Sequence, residues 1–163
     1  MRLSEFLPKS SSKSVFTVAM ACYGVAAATL LRTIANALGA APPPMGALLR
    51  SGHPVFEIIG LVLFAPVFES LVLISIFELA GWFRSPPWLQ IVLAGTISTC
   101  LEAPPISHAV VSTPAWFIMA GAYVIWRRVS WKTGFTVIAS IHVLLNLNAA
   151  IWTIEYALHH PST

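Results

Sequence analysis

The chain has 163 residues, of which 57% are hydrophobic and only 9% charged, and its mean hydropathy is +0.80. Soluble domains are about 45–50% apolar and about 25% charged, so these values exclude a soluble globular fold and point to an integral protein of the lipid bilayer. The net charge of +3 would suit a nucleic-acid binder, but the nine Lys and Arg are scattered over segment ends instead of forming a stripe, so no nucleic-acid partner is expected.

Residues 1–14 read as a solvated tail carrying Arg2, Lys9, Lys13 and the run Ser10-Ser11-Ser12. The first apolar window, Val15–Leu38, has the basic start of a signal peptide, but it exceeds the roughly 7–15 residues of a signal-peptide core and is read as a retained span. Pro42-Pro43-Pro44 breaks the pattern. The second window is Val55–Leu79, closed by Gly81 to Pro87, and the third is Trp88–Glu102, closed by Ala103-Pro104-Pro105. The fourth runs Thr113–Trp126, extended by snorkelling Arg127 and Arg128, and the fifth Thr133–Leu158.

At about 20 residues per span, five spans fill the length and leave no room for a soluble domain, so residues 1–163 form one membrane domain. The expected fold is all-α, a polytopic helix bundle of about five transmembrane helices with its site inside the bundle. Arg2, Lys9, Lys13, Arg84, Arg127, Arg128 and Lys132 fall on one side, Arg50 lies opposite, and Arg32 is near the exit of the first span. This bias predicts a cell (cytoplasmic) membrane protein with its N-terminus in and its C-terminus out. Cys22 and Cys100 lie in apolar runs on different spans, where a thiol acts as a small hydrophobe.

Inside these spans stand a few polar groups that cost roughly 2.5–3.5 kcal/mol each to insert when ionisable. His142 and Asn146 are four apart, on one helix face with Cβ atoms about 6 Å from each other, and can donate to one oxygen or bond across helices. Glu69 lies about 15 Å into the second span from the basic side, and His142 is about as deep in the fifth, so the two can meet. Desolvation suits such a carboxyl to general-base work near neutrality. His108 follows Pro104-Pro105 and would lie about 10 Å from Glu69 in depth on a straight helix. A re-entrant segment returns it toward the site, whereas a simple loop leaves it exposed.

Other polar groups have plainer readings. Glu57, Glu102 and Glu155 lie near the outer face and reach water cheaply. Glu78, nine residues after Glu69, points about 180° from it. His159 and His160 belong to a polar tail, and there is no aspartate, phosphate loop, Cys-x-x-Cys pair, Gly-x-Ser-x-Gly elbow or His-Glu-x-x-His motif.

The set resembles the CAAX protease and bacteriocin-processing (CPBP) family of intramembrane proteases. That family carries Pro-x-x-Glu-Glu-x-x-x-Arg, then Phe-x-x-x-His, then His-x-x-x-Asn or His-x-x-x-Asp on successive spans. Pro66-Val67-Phe68-Glu69 matches the first element through its leading glutamate, His108 matches the second element's histidine, and His142 with Asn146 matches the third. The stretch from Gly121 to Gly134 is similar to the family's Gly-rich span and Arg-Thr-Gly turn, so the likeness covers residues 55–149 as a catalytic core. Ser70, Ile74 and Pro104 stand where the second glutamate, the arginine and the phenylalanine are usual.

The resemblance implies an endopeptidase acting on a membrane-associated, lipidated or sorted protein or peptide. Glu69 and His108 would activate water, and His142 and Asn146 would hold the oxyanion. It leaves open whether Glu69 and the two histidines bind zinc with an open water position or a metal-free glutamate does the work. Two other functions fit the same residues: a catalytically silent relative acting as a binding or immunity protein, and a proton-coupled carrier relaying through Glu57, Glu69 and Glu102.

Overall fold

The computed structural model describes residues 12–39, 54–101 and 106–159, and all of the elements in them are helical. In chain order these are α1 (Lys13–Ala37), α2 (Pro54–Ile59), a π-helical turn (Gly60–Phe64), α3 (Ala65–Trp82), α4 (Pro87–Leu101), α5 (Ile106–Trp126) and α6 (Trp131–His159). Four stretches are long and apolar enough to cross a membrane: Lys13–Ala37, Phe56–Trp82, His108–Trp126 and Trp131–Trp152. The molecule is a polytopic helix bundle.

Two spans differ from the hydropathy reading. The third expected span is the 15-residue α4, about 22 Å long at 1.5 Å per residue and short of a hydrocarbon layer of about 30 Å. The fourth starts at Ile106, seven residues before Thr113, because the helix continues through Pro114. Spanning helices tolerate an interior proline where neighbouring helices pack around it. The Pro42 to Pro44 linker, Glu102 with Pro104-Pro105, and His160 lie outside the described residues.

Local chemistry sets the helix ends. Ser12 caps α1, its Oγ accepting from Val15 N at 3.3 Å, and Ser130 caps α6, its Oγ accepting from Thr133 N at 3.0 Å. At the end of α3, Arg84 takes φ 55°, its N–H donates to Gly81 O at 2.9 Å, and Ser85 N donates to Ala80 O at 3.4 Å. This is the paired bonding of a Schellman stop, with arginine in the left-handed position that usually holds glycine.

α5 is the central helix, packed on α1, α4 and α6, while α3 packs on α4 and α6. Leu73 and Phe77 of α3, Met119 and Tyr123 of α5, and Ile138 and Ile141 of α6 form the innermost core. Large apolar side chains such as Val15, Leu30, Phe68, Leu71, Leu79, Leu93 and Ile151 are exposed around the outside, as expected where the solvent is lipid. Exposed Trp82, Phe83, Trp88 and Trp131 lie at the end that also bears Arg84, Arg127, Arg128 and Lys132, here termed the basic end.

Arg127 does not simply snorkel there. Its guanidinium lies 5.8 Å from the Phe77 ring centroid and 5.9 Å from that of Tyr123, donates to Gln90 Oε1 at 3.0 Å and lies 3.6 Å from Glu78 Oε1. Tyr123 donates its hydroxyl to the same Glu78 oxygen at 2.9 Å, and Gln90 donates to Ser85 O at 2.6 Å. One cluster thus ties together α3, the turn after it, α4 and α5. Gly134 lets α6 close on it, since a Cβ there would lie 2.8 Å from the Tyr123 ring.

Candidate functional site

The site begins with a proline. In the π-helical turn the Ala65 N–H donates to Gly60 O, five residues back. The same register would give Leu61 O the N–H of residue 66, but Pro66 has none. Leu61 O instead accepts from Asn146 Nδ2 at 2.8 Å. π-turns in spanning helices leave carbonyls to be met from a neighbouring helix, and α6 meets this one.

One turn earlier on α6, His142 Nε2 lies 3.2 Å from Glu69 Oε2, within reach for the ring to donate to the carboxylate. α3 and α6 run in opposite directions, so the earlier residue of one meets the later residue of the other: Glu69 with His142, and Leu61 with Asn146. The imidazole is 6% exposed and the carboxylate 39%, so the carboxylate stands at the bundle's flank and the histidine behind it, in the core. The edge of Trp116 packs on the His142 ring, with centroids 5.2 Å apart and planes at 80°, holding the imidazole in one orientation.

His142 and Asn146 also form part of the wall of a cavity of about 330 Å³ between α1, α5 and α6. His108 reaches the same cavity from the first turns of α5, helical and half-buried instead of lying in a loop or re-entrant segment. Glu69 is not among the lining residues. Three of the four residues singled out in the sequence therefore share one cavity, and the fourth joins it through His142.

Two motif departures have a structural meaning. Ile74, where the family's arginine would stand, is packed in the core, and Ser70 is fully buried with no hydrogen-bond partner for its Oγ. Ile74 offers the Glu69 carboxylate no hydrogen bond, and His142 is a partner that the geometry provides.

Zinc binding by Glu69, His108 and His142 does not fit this geometry. Among the described residues no three His, Cys, Asp or Glu side chains come together as a metal site, whereas catalytic zinc takes three protein ligands at about 2.0–2.2 Å.

Sequence reasoning passed over the first span, which supplies a third of the cavity wall: Thr29, Arg32, Thr33 and Asn36 all line it. Their spacing of i, i+3, i+4 and i+7 is a one-face helical pattern, read here in polar residues against an apolar background. Asn148 and Trp152 of α6 face them across the cavity.

Comparison with protein-family models, curated proteins and solved structures finds no match to this chain. The likeness to the CAAX protease and bacteriocin-processing family rests on the motif residues alone.

Proposed function

We propose that this chain is an intramembrane endopeptidase that hydrolyses a peptide bond in a membrane-associated or exported polypeptide. The observation that carries the reading is the Glu69–His142 contact at 3.2 Å beside a cavity that also takes in His108 and Asn146. Glu69, exposed on one edge and held by His142 on the other, is the general base. It takes a proton from water as the oxygen attacks the scissile carbonyl carbon, forming a tetrahedral oxyanion, then passes that proton to the leaving nitrogen as the C–N bond breaks. A positioned base contributes typically 10²–10⁴-fold.

The resemblance gives the oxyanion to His142 and Asn146. Asn146 has two amide N–H groups: one donates to Leu61 O and fixes the side chain, and the other is the donor it offers to the oxyanion. The resemblance gives His108, on the α5 wall of the same cavity, a share with Glu69 in activating the water. The basic end with its exposed Trp82, Trp88 and Trp131 is assigned to the cytoplasmic face of the cell membrane, N-terminus in and C-terminus out.

A second reading has its own observation. Asn146 bonds across helices to Leu61 O, and Ser70 and Ile74 serve packing, which is what a silent relative acting as a binding or immunity protein would retain. Co-expression with neighbouring membrane and secreted proteins separates the two. Wild type, Glu69→Gln and His142→Ala are compared at matched abundance by mass spectrometry of the candidate substrates. A shortened product made only by wild type supports the protease; one product pattern in all three rejects it in favour of the silent relative.

A further inference from the structure

The cavity is graded from end to end. Its deep half is mainly apolar, with Val25 and Ala28 of α1, Met119 and Trp116 of α5, and Leu145 of α6, beside His142 and Asn146. Toward the end where α1 and α6 finish and α5 begins, the wall turns polar, and Arg32 stands there with Thr29, Thr33 and Asn36. Arg32 and His108 are the groups in this outer half that can carry positive charge, and no carboxylate lines any part of the cavity among the described residues. An arginine near the end of a spanning helix normally reaches for water or headgroups. Here its own helix face adds two hydroxyls and an amide on the same stripe, all turned to one cavity.

We propose that this cavity binds a single-chain amphiphile, its anionic phosphate or carboxylate head held by Arg32 and the polar stripe of α1, and its apolar chain running inward toward Val25 and Met119. Guanidinium is suited to this head because its forked N–H groups match two oxyanion oxygens at once. The Thr29 hydroxyl and the Asn36 amide can donate to the remaining lone pairs, whereas the Thr33 hydroxyl already donates to Thr29 O at 2.9 Å and lines the wall. Arg32 and Val25 are seven residues apart on α1, about 10 Å along the helix, a run that several methylenes of a chain would fill. The volume of about 330 Å³ is at the lower end of small-ligand pockets, roughly 300–1,000 Å³, and suits one chain, not a two-chain phospholipid. The cavity is the one that the peptidase reading uses, but none of the stripe residues belongs to the proposed catalytic set, so head-group selectivity is read separately from peptidase activity.

Trp116 and Trp152 line the cavity and give the readout. The full chain in nanodiscs of neutral lipid is titrated with brominated dodecyl phosphate, dodecanoate, dodecanol and dodecyltrimethylammonium, following quenching of tryptophan fluorescence. Expected is at least about tenfold tighter binding of the two anionic probes than of the other two, equivalent to about 1.4 kcal/mol. Arg32→Gln should abolish that preference, Arg32→Lys should keep most of it, and Arg128→Gln, at the other end of the bundle, should leave it unchanged. Trp152→Phe should remove part of the head-selective quenching. Equal binding of all four probes, or a preference that survives Arg32→Gln while the Lys variant behaves as wild type, overturns the proposal. Inorganic phosphate displacing the probe at equal concentration overturns the amphiphile in favour of a free anion. Displacement by an apolar-ended peptide at lower concentration than dodecyl phosphate overturns it in favour of a polypeptide carboxyl terminus.

Discussion

Two polar clusters of this bundle each contain a glutamate and a side-chain amide, yet they differ in what surrounds them. At the basic end, Glu78, Tyr123, Arg127 and Gln90 bond to one another and close over Phe77. Deeper in the bundle, Glu69 meets His142 and Asn146 meets Leu61 O, and the face of α6 that carries His142 and Asn146 borders a cavity. A closed network spends its donors and acceptors on holding helices together, whereas a cluster beside open volume keeps room for something else to bind. The lesson is that a carboxylate in a membrane helix is read better by what lies next to its partner than by its own depth.

The sharpest way to break that comparison is to remove one partner from the deeper pair. His142→Leu leaves Glu69 on the bundle flank without its imidazole, and the expected cost is about 2–3 kcal/mol, near the insertion penalty of a carboxylate. Adding Glu69→Leu should restore most of it, because replacing both members of a polar pair by apolar groups is close to neutral. Thermal unfolding in detergent micelles of the two single variants and the double variant measures this, and a double variant as unstable as His142→Leu would show that the pair is not the source of the loss.

A smaller effect compares the two regions through their glycines. At Gly134 an added Cβ would lie 2.8 Å from the Tyr123 ring and 3.2 Å from the backbone N of Arg127, and that ring is fully buried and tied to Glu78 through its hydroxyl. At Gly24 the clash at 2.9 Å is with the end of the Leu145 side chain, which borders the cavity and has somewhere to go. Gly134→Ala should therefore destabilise by about 1–3 kcal/mol, as overpacking does, and Gly24→Ala by less than 1 kcal/mol. Equal losses in micelle unfolding would mean that the cavity end is as tightly closed as the basic end.

How much of this was legible beforehand follows from what sequence spacing carries. Hydropathy located the helices because burial in lipid is a property of each segment by itself. It misplaced the start of α5, because a proline at 114 reads as a break in water and is tolerated inside a bundle. The i, i+4 pair His142 and Asn146, and the matching depths of Glu69 and His142, were visible because helix geometry converts residue counts to distances. The partner of Asn146 was not, since it is a backbone carbonyl 85 positions away and its availability depends on a π-turn. The Arg32 stripe was visible in principle as polar periodicity, but its meaning needed α5 and α6 to be laid against it.

The smallest expected effect tests the most specific part of the deeper cluster. If Pro66 is what leaves Leu61 O to Asn146, then Asn146→Ala should cost about 1–2 kcal/mol in the wild-type background, the usual loss for a half-buried acceptor stripped of its donor. In a Pro66→Ala background residue 66 regains an N–H that can serve Leu61 O within the helix, and the same Asn146→Ala change should cost about 0.5–1 kcal/mol less. The coupling belongs to two residues 80 positions apart that share one oxygen, a magnitude a double-mutant cycle resolves. Additive losses would mean that the proline shapes the π-turn without controlling that oxygen. A positive coupling would show that Pro66 is what leaves Leu61 O to Asn146, so that the missing N–H of one helix and one of the two amide N–H groups on another are parts of a single device that fixes the side chain beside the cavity.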